Sequence, residues 1–216
     1  MDRKQHWDQI YTSKASEAVS WFQEHAEQSL RLIHSTGLAR DAAIIDVGGG
    51  ASRLVDDLVD EGCTDITVLD LSPSALAVAT KRLDKHAAAI HWIEGDITSV
   101  KLPLHRYDIW HDRAVFHFLT DETDRRAYVE QVMRAVRPGG HLIIATFGEN
   151  GPDRCSGLPV MRYQPDKLHA EFGDAFRLVG HEEEAHQTPS GTIQQFIYCY
   201  CRKVNTWQKP ICVETS

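Results

Sequence analysis

The sequence predicts an α/β fold in which a mostly parallel sheet is covered by helices on both faces. Three observations carry this. Between residues 40 and 147, short apolar runs alternate with amphipathic runs, the pattern of right-handed crossovers between parallel strands. After residue 148 the alternation gives way to two strand-like runs with no strong helix between them, the signature of a terminal antiparallel hairpin. The chain has 216 residues, 42% of them hydrophobic, which is enough for one sizeable core and short for two.

The elements follow in order. Two helical patterns, around 5–14 and 20–34, form an N-terminal cap. Ala42 to Val47 is a buried strand by composition, ending in Asp and Gly. Leu54, Val55, Leu58 and Val59 then share one helical face, with Ser52 as N-cap and Gly62 as the stop. Ile66 to Asp70 reads as the second strand. Ser72 and Pro73 read as N-cap and first-turn proline of a helix whose stripe is Leu76, Ala79, Thr80 and Leu83. Ile90 to Glu94 and Tyr107 to His111 are the third and fourth strands. A helix from near Thr120 buries Tyr128, Val129, Val132, Met133 and Val136 and stops at Arg137-Pro138-Gly139-Gly140. Leu142 to Phe147 is the fifth strand. A Gly- and Pro-rich loop (148–165), a short helix (166–172) and the strands Phe176 to His181 and Gln194 to Arg202 complete a seven-stranded sheet whose last strand is antiparallel. One domain is expected over 1–216, divided into a cap (1–40), a central half (41–147) and a loop-and-hairpin part (148–204).

Composition excludes several functions. No apolar run approaches the ~18 residues of a membrane span. The formal net charge is −8, from 23 basic and 31 acidic residues, which argues against bulk capture of nucleic acid. The five cysteines are odd in number and form no CxxC pair, and there is no HExxH among the 12 histidines. Reduced thiols, no metal and a cytoplasmic location are therefore expected. The opening MDRKQHWDQIY, lacking an apolar stretch, agrees with that location.

The most informative stretch is Asp46-Val47-Gly48-Gly49-Gly50-Ala51-Ser52, between the first strand and the first crossover helix. Glycines there let the backbone turn sharply and approach a ligand. Open α/β sheets bind ligands at the carboxyl ends of strands, beside the switch in strand order. Asp70 ends the second strand 22 residues after Gly48, well placed to accept hydrogen bonds from ribose hydroxyls. A dinucleotide site would need a third glycine where Arg53 stands, and no P-loop is present.

On these motifs, roughly residues 40–202 resemble the class I S-adenosylmethionine-dependent methyltransferases. The acidic residue and glycines of the first motif are Asp46, Gly48 and Gly50, with Ser52 where a third glycine is common. The second is Asp70, the third is Asp96 with Ile97, and the late landmark is Arg137-Pro138-Gly139-Gly140 before an apolar strand. The resemblance implies a Rossmann-like sheet and S-adenosylmethionine as cofactor. It implies that Gly48, Gly49 and Gly50 pass under the methionine portion beside Asp46, that Asp70 with Leu71 holds the ribose, and that Asp96 and Ile97 meet the adenine. His111, Asp112 and Arg113 would border the transferable methyl, and His111, Asp112 and His117 are candidate bases. For Asp96 and Asp112 the alternative is a turn or helix cap; for His117 it is a partly buried helix histidine.

A narrower resemblance runs from the start. His6-Trp7-Asp8-x-x-Tyr11 followed by Ser20-Trp21-Phe22 resembles the opening of the elongation-factor lysine methyltransferases and their small-molecule relatives. Trp7, Tyr11 and Trp21 are then either a lid over the cofactor or simple packing of the cap. Those lysine enzymes tend to carry Asp-Lys-Gly-Thr after the fourth strand, where this chain has Asp112-Arg113-Ala114-Val115. A small-molecule acceptor is therefore favoured over a protein lysine, with a non-catalytic cofactor-binding protein as the third reading. Arg113 and Arg162 are expected near the methyl, where their forks would suit an anionic acceptor; the alternative is pairing with neighbouring carboxylates. Cys199 and Cys201 share one face of a strand, either as soft ligands for a thiol or metalloid acceptor or as two small core residues under a helix.

Overall fold

The structure is a computed structural model and describes residues 2–204. Its elements are α1 (Arg3–Ser13), α2 (Glu27–Ser35), β1 (Ile44–Val47), α3 (Leu54–Asp60), β2 (Ile66–Asp70), α4 (Pro73–Leu83), β3 (His91–Glu94), β4 (Tyr107–Arg113), α5 (Glu122–Ala135), β5 (Val136–Phe147), β6 (Arg154–Cys155), β7 (Leu158–Pro159), α6 (Pro165–Ala170), β8 (Phe176–Gln187) and β9 (Ile193–Lys203). Seven strands form one sheet in the order β3-β2-β1-β4-β5-β9-β8, and β6 with β7 makes a small separate hairpin. All pairings among β1 to β5 are parallel, while β9 runs antiparallel to both β5 and β8. The chain leaves β1 toward β2 on one side and returns to β4 on the other, so the switch in strand order lies between β1 and β4.

The pleat sorts the side chains. Along β1, Ile44 faces a cluster with Leu32, Leu54, Val55, Leu58 and Leu76, whereas Ile45 and Val47 face Trp110, Tyr128, Val132 and Ile144 on the opposite side. The first cluster is covered by α2, α3 and α4, the second by α5 and α6. Cys199 and Cys201 fall in the second cluster, with the Cys199 thiol 3.5 Å from the Pro165 carbonyl. Burial pushes both thiols up to about 12, so they are inert core residues under α6. Cys212 lies outside the described residues. Among the described residues the other four cysteines are free, and no helix is long and apolar enough to cross a membrane.

Local chemistry explains most boundaries. Ser72 caps α4 by accepting the Ala75 N–H, with Pro73 at the first position, as the sequence predicts. Ser52 accepts from the Leu54 N–H, so it serves the turn just before α3 rather than capping from one residue outside. Thr80 is exposed and returns its hydroxyl to the Leu76 carbonyl, so it leaves the buried stripe to Ala75, Leu76, Ala79 and Leu83.

Two expectations need larger corrections. The second cap helix is only Glu27–Ser35, because residues 20–26 spend their backbone groups elsewhere. The Ser20 carbonyl accepts from His186, the Trp21 carbonyl from Arg113, and the Ala26 N–H donates to Asp57. The helix before Arg137-Pro138-Gly139-Gly140 ends earlier, at Ala135, and that segment opens β5. Lys203 draws the helix end closed, donating to the Val136 carbonyl at 2.7 Å and to the Met133 carbonyl.

Beneath α5, Tyr128 joins the two layers. Its hydroxyl donates to Asp112 at 2.5 Å and accepts from the Trp110 indole at 2.9 Å. Tyr128→Phe leaves both groups short of a partner in a buried place. It is expected to lower stability by about 1–3 kcal/mol in a denaturant titration, with the far-ultraviolet spectrum unchanged.

Candidate active site

The floor of the site is the turn after β1. Gly48 has φ +73°, and a Cβ there would stand 2.0 Å from the Val115 side chain. Gly50 is held by close approach: a Cβ would lie 2.6 Å from both Ala75 Cβ and Asp70 Oδ2. The Gly50 N–H donates to Asp70 Oδ2 at 3.0 Å, and the Ser72 N–H donates to Oδ1 at 2.8 Å. Asp70 therefore ties the β1–α3 turn to the β2–α4 turn. Burial pushes its carboxyl up to about 6, despite these donors. Each oxygen retains a lone pair for a further donor.

Above this floor a cleft lies at the carboxyl ends of β1, β2 and β4, as the switch in strand order requires. It has two adjoining chambers that share Tyr11, Trp21, Val47, Gly48 and Arg113. The first holds about 800 Å³ of empty space, part of it open to solvent, and is bordered by Asp70, Leu71, Asp96 and Ile97 below and by Trp7, Tyr11, Trp21 and Phe118 above. The second is bordered by Asp46, Gly49, His111, Ser29 and Arg53. Gly50 borders neither chamber; its N–H is given to Asp70.

The sequence-predicted polar residues take distinct places. Asp46 Oδ1 is hydrogen-bonded to His111 Nδ1 at 2.7 Å, and His111 Nε2 meets the Ser29 hydroxyl at 2.8 Å. Among the described residues Asp46 Oδ2 is buried with no hydrogen-bond partner. Asp96 uses Oδ1 to accept from the Thr98 N–H and hydroxyl, at 2.9 and 2.7 Å. It thus caps a turn and borders the cleft at once, with Oδ2 3.8 Å from Arg3.

Asp112, His117, Arg113 and Arg162 depart from expectation. The pleat that points His111 toward α2 points Asp112 to the α5 side, where it accepts from Tyr128, Val115 and Phe116. Burial pushes it up to about 6, and it does not border the cleft. His117 is fully buried between Phe118 and Phe147, accepts from the Phe147 N–H, and is pushed down to about 3 by burial, so it is a neutral core residue. Arg113 reaches the cleft but its fork is taken. It donates to Glu184 at 3.1 Å, to Tyr198 at 3.0 Å and to the Trp21 carbonyl at 3.3 Å, and it stacks 4.1 Å above the Phe196 ring. Arg162 lies exposed, bound to the Glu149 and Gly151 carbonyls. Neither arginine presents a free fork to an anion.

The cap helix α1 buries no residue completely and is held over the cleft by polar contacts. Arg3 donates to Asp124 at 2.9 Å, Lys4 to Glu94 at 2.5 Å, and Asp8 accepts from the Ser72 hydroxyl and the Ser74 N–H at 3.0 Å each. Trp7 and Tyr11 project from it into the first chamber.

Sequence reading missed Phe118, Cys155, Ser29 and Arg53 as cleft residues. Phe118 follows His117 in an aromatic run that carries a signal. Ser29 is a lone serine on a helix and carries none. Among the described residues no group of three His, Cys, Asp or Glu is arranged for a metal.

Residues 44–140 match the methyltransferase domain family. The chain is 27% identical over 144 residues to the eEF1A lysine and N-terminal methyltransferase homolog of Drosophila melanogaster, covering 64% of this chain and 21% of that one. It is 26% identical over 157 residues to the malonyl-[acyl-carrier protein] O-methyltransferase of Paenibacillus sp., covering 71% and 51%. It therefore spans about a fifth and about half of the lengths of these two relatives. The N-methyltransferase NodS of Bradyrhizobium japonicum, solved with S-adenosyl-L-homocysteine, superposes with a TM-score of 0.72 at 19% identity, covering 94% and 99%. The domain match, the relatives and the shared fold together support a class I S-adenosylmethionine-dependent methyltransferase.

The Asp70 clasp makes a sharp prediction. Gly50→Ala forces apart two turns that meet there and is expected to cost about 1–3 kcal/mol in thermal denaturation. Gly180→Ala, where nothing lies within 4 Å of the added methyl, is the matched control and should cost clearly less.

Proposed function

We propose that this chain transfers a methyl group from S-adenosylmethionine to a small-molecule acceptor by in-line displacement. The observation that carries the reading is the paired chamber at the switch point, with a glycine turn as floor, Gly48 shared by its halves and Asp70 bordering the first. The residues present fit the cofactor. Asp70 would accept from the ribose hydroxyls, and Asp96 and Ile97 would meet the adenine. Gly48 and Gly49 would pass under the methionine portion, where the unpartnered Asp46 Oδ2 is an acceptor for its ammonium group. Trp7, Tyr11 and Trp21 would cover the reacting centre and exclude water. His111 keeps its place at the methionine side, holding Asp46 through Nδ1.

The cofactor supplies an already activated methyl group. The work left to the chain is alignment and desolvation. Asp112 and His117 take no part in it, since both are spent on the core.

A small-molecule acceptor is favoured by the enclosed, aromatic upper wall and by the sequence after β4. The fly relative's name keeps a protein lysine as the second reading. Incubating the protein with labelled cofactor and lysate, then separating macromolecules from small molecules, discriminates them. Label is expected in the small-molecule fraction; label confined to protein would transfer the assignment to the second reading.

Cofactor affinity itself has a pH signature. Asp70→Ala is expected to weaken binding by about 1–3 kcal/mol in calorimetry. Because the Asp70 carboxyl is pushed up to about 6, protons compete with the ribose below that pH. Affinity is expected to hold above pH 7 and to fall, by at most tenfold per unit for one proton, as pH drops through 6. A profile that is flat from pH 7.5 to 5 would remove Asp70 from the ribose site.

A further inference from the structure

Among the described residues, three cationic side chains border the two chambers, and each has a carboxylate. Arg113 pairs with Glu184, Arg3 with Asp124, and Arg53 lies 3.9 Å from Glu17. Asp46, Asp70 and Asp96 border the same chambers, and the cofactor reading engages each of them. With Arg3 and Arg113 already paired, the cleft has little to draw an anionic acceptor.

Its upper wall has a geometry for a cation. The Trp7 ring stands edge-on to Trp21, at 5.7 Å and 82°, and to Phe118, at 4.9 Å and 76°. Tyr11 stands edge-on to Trp21 at 6.2 Å and 77°. Rings set nearly perpendicular turn their faces in several directions around one space. That suits a rounded cation attracted to ring faces better than a flat ligand that stacks on one.

The wall also lacks a base. Both His111 nitrogens are engaged, the Tyr11 phenol is pushed up by burial, and the Cys155 thiol is pushed up to about 11 by burial. An alcohol acceptor would find no free imidazole or thiolate on this wall to take its proton. A carboxylate or thiolate would find Arg3 and Arg113 already held by Asp124 and Glu184.

Resting on the cofactor reading above, we propose that the acceptor atom is an amine nitrogen, and that Trp7, Trp21 and Phe118 receive the methylated ammonium it becomes. The acceptor reacts as the neutral amine, having left its proton to water before it enters the cleft; its nitrogen lone pair forms the new N–C bond while the C–S bond breaks. The electron pair stays on sulfur, and the positive charge moves from sulfur to nitrogen. A product that still carries an N–H gives its proton to water. No charge is created or destroyed in the cleft, so one set of carboxylates and ring faces serves before and after transfer.

The test uses the wild-type protein saturated with S-adenosylhomocysteine, which has no sulfonium charge of its own. Choline and its uncharged isostere 3,3-dimethylbutan-1-ol are titrated by calorimetry. Choline is expected to bind about three- to thirtyfold tighter, the range for a desolvated cation on aromatic faces. Equal or tighter binding of the neutral alcohol overturns the amine assignment and leaves the cofactor reading standing. Failure of S-adenosylhomocysteine to bind overturns both. Trp7→Leu and Phe118→Leu are expected to erase most of the preference; a preference intact in both variants overturns the role given to the rings.

Discussion

A single carboxylate, Asp70, joins the two turns from which the cleft is built. It accepts from Gly50 on one side and from Ser72 on the other, and each donor begins a different crossover. The Cβ-free surface of Gly50 lets Ala75 and Asp70 close upon the turn, which brings the first turn of α4 against the glycine loop. Asp8 then uses the same helix start, through Ser72 and Ser74, to anchor α1. Floor, wall and cover are thus referenced to one buried acidic group, whose raised proton affinity follows from burial outweighing its two donors.

The central half of the fold is legible in the sequence because its signals are local. Ile66 to Asp70 and the Ser72-Pro73 helix start coincide with the observed elements, since strand composition and a side-chain cap act within a few residues. Asp70, Asp96, Ile97 and Gly48 reach the cleft for the same reason: motifs at strand ends inherit their position from the sheet. The failures are of another kind. Asp112 and His111 are adjacent in sequence, and only the direction of the pleat decides which one meets the core beneath α5. Arg113 finds its carboxylate 71 residues away, on a strand whose register no local pattern reveals. The length of α2 is hidden in the sequence because residues 20–26 look helical by spacing but bond to β4, β8 and α3.

The segment between α1 and α2 is consequently a joint as well as a wall. Its carbonyls are gripped by Arg113 and His186, and Gln23 donates to Glu184 at 2.6 Å. Glu184 therefore receives both the arginine and the segment that the arginine holds. The buried pair does little for net stability by itself, because desolvation offsets much of its attraction. What it does is specify where Trp21 stands, and hence the shape of the cleft.

The position of β9 has a consequence for how the molecule comes into being. It lies between β5 and β8, both of which precede it in the chain, and its last residue, Lys203, closes the end of α5. As the chain emerges from the ribosome, β8 has no sheet neighbour and β5 keeps one edge bare until residues 193–203 arrive. The parallel half can assemble early, but the sheet is completed by its final strand. The interval leaves one edge of β5 and both edges of β8 unpaired, the condition under which nascent chains pair with each other instead of with themselves.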